Sequence, residues 1–500
     1  MAILERLSRS LQDRGIVNAR TVRLIPAGIL RQLGTANALT TFRRAAAEVP
    51  AYSAFLAEHG VEPAAVQSIE DFKRLPLTDK AGYIRRYPTN QLSGKDGLHG
   101  AWVLQRSSGF SGQPTYWPRL HSDGVGNVCH AKLLWDLCVN PENLPTLWVI
   151  TFSLCSWTGG TDLFHVGAAL ALEKKRNITV IAPGENLPEA VEVIRSLGPR
   201  YKRVFVMGNP PFLRRLLEAD LDWPALHLQI ATGAEPTTEA WRDWVAGRIG
   251  ADPEREPMRI FNAYGASEFG PDSAVESPLT ILLKRRAMKD PALARAIFGC
   301  EGLLPNLYQF DPSHTYLEEV GGEIVVTIWS GVPLIRYNIH DRGGVIDYDR
   351  MAGLLAEHGC DLLESLRRQG HGIIRLPFLW VGGRTDGTVS IGGANVYPGN
   401  IETAVFEDDR LSRAVEHFQL SVTIDGDAES RLTVYLGLRD GAEIAPEYAE
   451  EAILKVLLRD SSEYAATYWG NEKARPRVVI ERAESLLDGS LKRRYIRPQG

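Results

Sequence analysis

Cysteine is scarce in this 500-residue chain. The five that occur, Cys129, Cys138, Cys155, Cys300 and Cys360, are odd in number, far apart and form no CxxC pair. That argues against a disulfide framework and fits a reducing, cytoplasmic setting. A dominant charge is lacking too: 56 Lys and Arg stand against 61 Asp and Glu, a formal net charge of -5. Such a balance gives no broad attraction to nucleic acid or to an anionic membrane, so neither partner is expected. No apolar run approaches the roughly 20 residues that span a bilayer. The opening Met1-Ala2-Ile3-Leu4-Glu5-Arg6 has no secretory apolar region, and Glu5 and Asp13 interrupt any likeness to an organelle presequence, so it reads as a surface helix. HExxH and paired Cys/His spacings are missing, which leaves His121 and His165 as ordinary polar or core residues. Internal repeats and long low-complexity linkers are also absent.

What is present is 44% hydrophobic content in a length that exceeds one core, so two or more domains are expected. Between about residues 145 and 265, β-rich runs alternate with helical patterns: Leu147-Trp148-Val149-Ile150, Ile178-Thr179-Val180-Ile181, Val204-Phe205-Val206-Met207 and Leu228-Gln229-Ile230-Ala231. That alternation predicts α/β architecture with doubly wound sheets. Ligands in such folds bind beyond the carboxyl ends of strands, where Gly233-Ala234-Glu235-Pro236 and Tyr264-Gly265-Ala266-Ser267-Glu268 fall. Closely spaced strands between about 315 and 348 predict a β-rich subdomain. Gly382-Gly383-Arg384-Thr385-Asp386-Gly387 reads as a boundary that can swivel. It separates a large N-terminal domain, 1–383, from a small mobile α+β domain, 384–500, with the hinge near Asp386. The tail is expected to hold helices at Pro398–Glu407 and Glu447–Arg459 and strands near Val415–Ile424, Arg431–Leu438 and Arg477–Ile480.

Two segments carry candidate chemistry. In Tyr264 to Glu268 a ring able to stack on a purine lies four residues from a carboxylate able to hold magnesium; an ordinary strand-to-helix turn is the alternative. Arg106-Ser107-Ser108-Gly109-Phe110-Ser111-Gly112-Gln113-Pro114-Thr115 could cradle phosphate on backbone N–H groups, although it lacks Walker spacing and also reads as a plain turn.

The order of these motifs, followed by Pro333-Leu334-Ile335-Arg336-Tyr337-Asn338-Ile339-His340-Asp341 and Gly383-Arg384-Thr385-Asp386, resembles the adenylate-forming acyl- and aryl-CoA ligases. Val49-Pro50-Ala51-Tyr52, the stretch Asp71 to Lys80, Trp157-Thr158-Gly159-Gly160 and the stretch Gly393 to Glu402 liken it to their phenylacetate-CoA ligase branch. The resemblance, from about residue 40 onward, implies that ATP, magnesium and CoA are used. It implies that Ser107, Ser108, Gly109, Ser111 and Gly112 handle phosphate, that Gly233, Ala234, Glu235 and Pro236 line the purine slot beside Tyr264, Gly265 and Ser267, and that Glu268 holds magnesium. Asp341 would clasp the ribose, Arg384 would lie by the nucleotide, Asp386 would be the hinge, and Gly392 and Gly393 would line the CoA tunnel.

The chain departs from that pattern in three places. Ser490 stands where the adenylation lysine is usual, so Lys492, two residues on and on the same face of an extended segment, is the candidate replacement. Phe110 and Gln113 replace threonine and lysine in the Ser/Gly loop, and Gly392 replaces an arginine. The implied substrate is an aromatic or arylacetic acid, with Phe152 and Trp157 facing its pocket or serving as core. The implied reaction is acyl-AMP formation followed by transfer to CoA. Delivery to an amine or a carrier-protein thiol, and a catalytically silent nucleotide-binding homologue, are the alternatives. Assembly as a homo-oligomer is compatible with the sequence.

Overall fold

Residues 24–94, 98–107, 115–154, 156, 158–300, 304–384, 389–392, 394–424, 430–486 and 497 are described in the computed structural model. The described residues fall into two compact units that divide between Gly383 and Arg384, the second also taking Ser107, Thr115 and the short segment 209–215. No helix among the described residues is long and apolar enough to cross a membrane.

In the first unit, Ala101–Ser107 (β1) and Thr115–Leu120 (β2) form a small separate sheet. The apolar runs then pair in parallel: Thr146–Ile150 (β3), Ile178–Ile181 (β4), Arg203–Gly208 (β5), Leu228–Thr232 (β6) and Ile260–Ala266 (β7) lie in the order β4-β3-β5-β6-β7. β3 and β6 are buried at every position, as expected of parallel strands covered on both faces. The helices Ala27–Glu48 (α1), His121–Leu134 (α2), Thr158–Leu172 (α3), Leu187–Leu197 (α4) and Glu239–Ile249 (α5) belong to this unit. α4 and α5 start where Asn186 and Thr238 accept hydrogen bonds from the N–H groups of Glu189 and Trp241. Gly167 lets α3 press close, since a Cβ there would stand 3.1 Å from Trp148 and Val180.

The sheet does not stop at β7. Gly270–Val275 (β8), Asn306–Phe310 (β9), Tyr316–Val320 (β10), Glu323–Ile328 (β11), Leu334–Ile346 (β12) and Phe378–Arg384 (β13) extend it to eleven strands, ordered β10-β11-β12-β13-β9-β8-β7-β6-β5-β3-β4. Two readings from sequence are corrected here. The strands after 315 form no separate subdomain, because the 13-residue β12 and its neighbour β13 join them to the same mixed sheet. Asp341 sits inside β12, which Gly343 and Gly344 continue at a point where a side chain would collide with Trp380. Likewise Tyr264 to Ala266 end a strand that turns into β8, an antiparallel neighbour, so the segment leads to a strand and not to a helix.

The second unit is α+β. Val389–Ile391 (β14) pairs with Ala394–Val396 (β15), while Val415–Ile424 (β16), Ser430–Leu438 (β17) and Arg477–Arg482 (β18) form a three-stranded sheet. Pro398–Glu407 (α6), Pro446–Asp460 (α7) and Ser462–Gly470 (α8) complete it, and Ile401, Leu420, Val434, Ile453 and Tyr464 meet in its core. The helix α8 went unanticipated: Ser461 ends α7 and at once caps α8 by accepting from the Tyr464 N–H, so no glycine or proline marks the break.

Candidate active site

The loop Gly233 to Pro236 leaves the carboxyl end of β6 and is fixed from the adjacent β7. Asn262, buried on β7, donates through Nδ2 to Thr232 Oγ1 at 2.6 Å and to the Glu235 carbonyl at 3.0 Å, and accepts from the Tyr308 hydroxyl at 2.6 Å. A buried polar group with every hydrogen bond made holds its neighbours in one geometry. Here it holds Ala234 in the left-handed region, at φ 68°, a conformation an alanine adopts only when its surroundings impose it. Phe152 packs against Gly233, whose absent Cβ would stand 3.4 Å from the ring tip.

Beneath the loop lies a buried ionic network. Arg242 on α5 is clasped by both carboxylate oxygens of Glu276 at 2.8 Å and by Glu239 at 3.0 Å, and Lys284 reaches the Thr237 carbonyl and Asn306. Glu276 also accepts the Asn262 N–H at 2.7 Å. Each buried charge therefore has an opposite partner.

At the strand ends, Tyr264 on β7 and Asp341 on β12 meet: the phenol donates to Asp341 Oδ2 at 2.6 Å. Glu268 follows in the β7–β8 turn, buried to 9% exposure, with Lys80 Nζ 3.4 Å from its Oε1. Lys80 arrives because Thr78 bridges to β12, its N–H donating to the Arg336 carbonyl and its carbonyl accepting from Asn338. Arg336, at φ 45°, and His340, at φ 63°, mark the irregularities of β12 that admit this pairing. The turn itself is anchored from behind. Arg119 donates to the Ser267 carbonyl at 2.6 Å and to Gln105 at 2.8 Å, and Gln105 donates onward to buried Asp162 on α3.

One strip thus carries a ring, two carboxylates and a lysine at the edge of a rigid loop. Among the described residues no three His, Cys, Asp or Glu side chains are grouped to hold a metal. A single carboxylate such as Glu268 nonetheless fits magnesium, which keeps its waters and binds through one or two carboxylates plus phosphates.

The strip brings together Gly233, Ala234, Glu235, Pro236, Tyr264, Gly265, Ser267, Glu268 and Asp341, with Phe152 against the loop. Ser108, Gly109, Ser111, Gly112, Trp157, Asp386, Gly393 and Lys492 lie outside the described residues, as do the side chains of Ser107 and Arg384. Gly392 lies in the second unit, at φ 57°, with Thr467 Cγ2 2.6 Å from the position of a Cβ, so only glycine fits there. Lys80, Asn262, Tyr308 and Arg119 were missed. Lys80 was legible only as part of the Asp71 to Lys80 stretch, and nothing in spacing pointed to the others.

No family model matches the chain. Over 479 residues it is 24% identical to a phenylacetate-coenzyme A ligase of Aromatoleum evansii, covering 92% of this chain and 94% of that one. The corresponding ligase of Escherichia coli (strain K12) is 23% identical over 425 residues, 83% of each chain. Its fold matches that of a 2-hydroxyisobutyryl-CoA ligase with a TM-score of 0.62, at 16% identity, over 94% of this chain and 90% of that one. The chain is thus similar over most of its length to phenylacetate-coenzyme A ligases and shares the fold of a CoA ligase. At the strand ends the chain carries the Tyr264–Asp341 hydrogen bond and the Glu268–Lys80 pair.

Proposed function

We propose that the protein activates a carboxylic acid with ATP and passes the acyl group to the thiol of CoA. In the first step a substrate carboxylate oxygen attacks the α-phosphorus, the bond to pyrophosphate breaks, and an acyl-AMP remains. In the second, the CoA sulfur attacks the acyl carbon, the bond to AMP breaks, and the thiol proton passes to solvent. The observation that carries this reading is the meeting of Tyr264 and Asp341 beside Glu268 and the Gly233 to Pro236 loop. The Tyr264 ring offers a face to adenine. Asp341 has lone pairs enough to accept from a ribose diol while Tyr264 holds one oxygen. Two anions 4 Å apart repel by about 4 kcal/mol at an effective dielectric of 20. Lys80 stands where it would offset part of that, and magnesium held by Glu268 would supply the rest as a Lewis acid on phosphate. Lys492 and the Ser/Gly loop are proposed phosphate contacts, Arg384 a nucleotide contact, and Asp386 the hinge.

An arylacetic substrate is supported by the names of the relatives and by no described side chain. A second acceptor, an amine or a carrier-protein thiol, is favoured by Gly392, which excludes the arginine usual in the family at that place. The test is acid-dependent pyrophosphate release across a carboxylate library, with and without CoA, read with mass spectrometry for thioesters. Thioester formation supports CoA as acceptor. Release without thioester supports the second acceptor, and no release with any acid refutes the activity.

A further inference from the structure

Lys80 and Asp341 reach the candidate site from two stretches of chain, and the residues immediately before them, Asp79 and His340, face each other. His340 Nε2 lies 3.5 Å from Asp79 Oδ2, and its Nδ1 lies 3.6 Å from Glu323 Oε2 at the start of β11. One ring thus stands at ion-pair distance from two carboxylates on two other segments. In either protonation state an imidazole carries an N–H for at least one of them. Asp79 is itself fixed, since its other oxygen accepts from the Gly82 N–H.

The backbone at His340 is shaped for this contact. Its φ of 63° lies in the left-handed region, which is unfavourable for a residue with a side chain and open to glycine. Asn338 sustains it: Oδ1 accepts the His340 N–H at 2.8 Å, while Nδ2 donates to Glu323. One asparagine therefore fixes both the backbone that aims the ring and a carboxylate that receives it. A histidine held where glycine would sit at ease points to a use for its ring.

The neighbouring contacts show what that use is. Thr78 bridges to β12 for a single residue, donating to the Arg336 carbonyl at 3.0 Å and accepting from the Asn338 N–H at 2.7 Å. The next two carbonyls, of Asp79 and Lys80, turn away to accept from Tyr83 and Arg85 in their own turn. The Asp79 carboxylate on His340 renews the link to β12, and Lys80 follows with Nζ 3.4 Å from Glu268.

We propose that His340 is a positioning residue for Lys80: by holding Asp79 on β12 just beyond the Thr78 bridge, its imidazole keeps the Lys80 ammonium against Glu268. The consequence for ATP rests on the adenylation reading, whereas the placement of Lys80 can be measured without nucleotide.

The experiment uses His340→Gly, which removes the ring and also relieves the left-handed backbone, so Tm should hold or rise. The first readout is trace acetylation of the whole protein with acetic anhydride, resolved by peptide mass spectrometry, with Lys289, 75% exposed by side chain, as the internal reference. Lys80 should react about fivefold faster relative to Lys289 in the variant, the order set by release from a partly exposed ion pair. The second readout is kcat/KM for ATP in acid-dependent pyrophosphate release. His340→Gly should lower it by about tenfold, because small misplacements at a reacting centre cost at least that. In a Lys80→Ala background the same change should have no further effect, since the two residues act through one group. Unchanged Lys80 labelling, unchanged kcat/KM in an active protein, or a loss that adds in full to that of Lys80→Ala overturns the proposal and leaves adenylation standing. If no acid is activated, the adenylation reading fails and labelling alone decides: faster acetylation of Lys80 upholds the positioning, and an unchanged rate overturns it.

Discussion

The Tyr264 hydroxyl donates to Asp341 at 2.6 Å across 77 residues of sequence, tying the last parallel strand to the long β12. A hydrogen bond to a carboxylate is worth about 1.5–3 kcal/mol. Tyr264→Phe keeps the ring and frees Asp341 to shift, so ATP affinity should fall about tenfold or more by calorimetry. An unchanged affinity would mean that Asp341 is not positioned through this bond.

Lys80 and Glu268 form a pair that is 22% and 11% exposed by side chain. As a structural ion pair it would contribute little, about 1 kcal/mol or less. As a phosphate contact it matters far more: Lys80→Ala should lower kcat/KM for ATP by about 10²-fold with little change in Tm, since charge-stabilising groups act on that order. Lys492→Ala, tested beside it, should lose a similar factor if both cations serve adenylation. A large fall in Tm with unchanged kcat/KM for Lys80→Ala would make the pair structural.

Arg242 is 1% exposed and held by Glu276 and Glu239. Removing one member leaves an uncompensated buried charge, so Arg242→Leu should destabilise the first unit by about 3–5 kcal/mol in denaturant unfolding. The double change Arg242→Leu with Glu276→Leu should cost less than the sum of the two. Additive costs would show that the groups do not act as a network.

Asp123, 8% exposed, accepts from the Leu120 and Gly331 N–H groups, yet burial pushes its carboxyl up to about 6 against the attraction of Arg119. The folded state then holds a proton that the unfolded state releases near 3.8, so stability contributed by this group is full below about pH 4 and is lost as pH rises to about 6. A rise from 3.8 to about 6 corresponds to about 3 kcal/mol. Asp123→Asn should remove that fall, and wild type minus variant stability should decline by that order between pH 4 and 7. A flat difference would refute it.

The sequence carried the strands well, because parallel buried strands write themselves as short β-branched runs and Pro398 announces the start of its helix. It carried motif positions less well. Glu268 and Asp341 stand out as carboxylates near glycines, but β12 is irregular at Arg336 and His340, and only three-dimensional pairing with Thr78 reveals why Lys80 belongs beside Glu268. The eleven-strand continuity was hidden for a similar reason: β13 joins β9 antiparallel across more than 60 residues, and no local pattern encodes that partner. Asn262 and Asp162 were silent because a buried polar residue looks in sequence like any other.

ATP–pyrophosphate exchange driven by a carboxylic acid, in the absence of CoA, tests the central claim most directly, because exchange requires a reversible acyl-AMP. Acid-dependent exchange in the wild type, reduced by about 10²-fold or more in Glu268→Gln, is the predicted result. Saturable ATP binding with no exchange for any acid would contradict it and leave a nucleotide-binding protein without the chemistry.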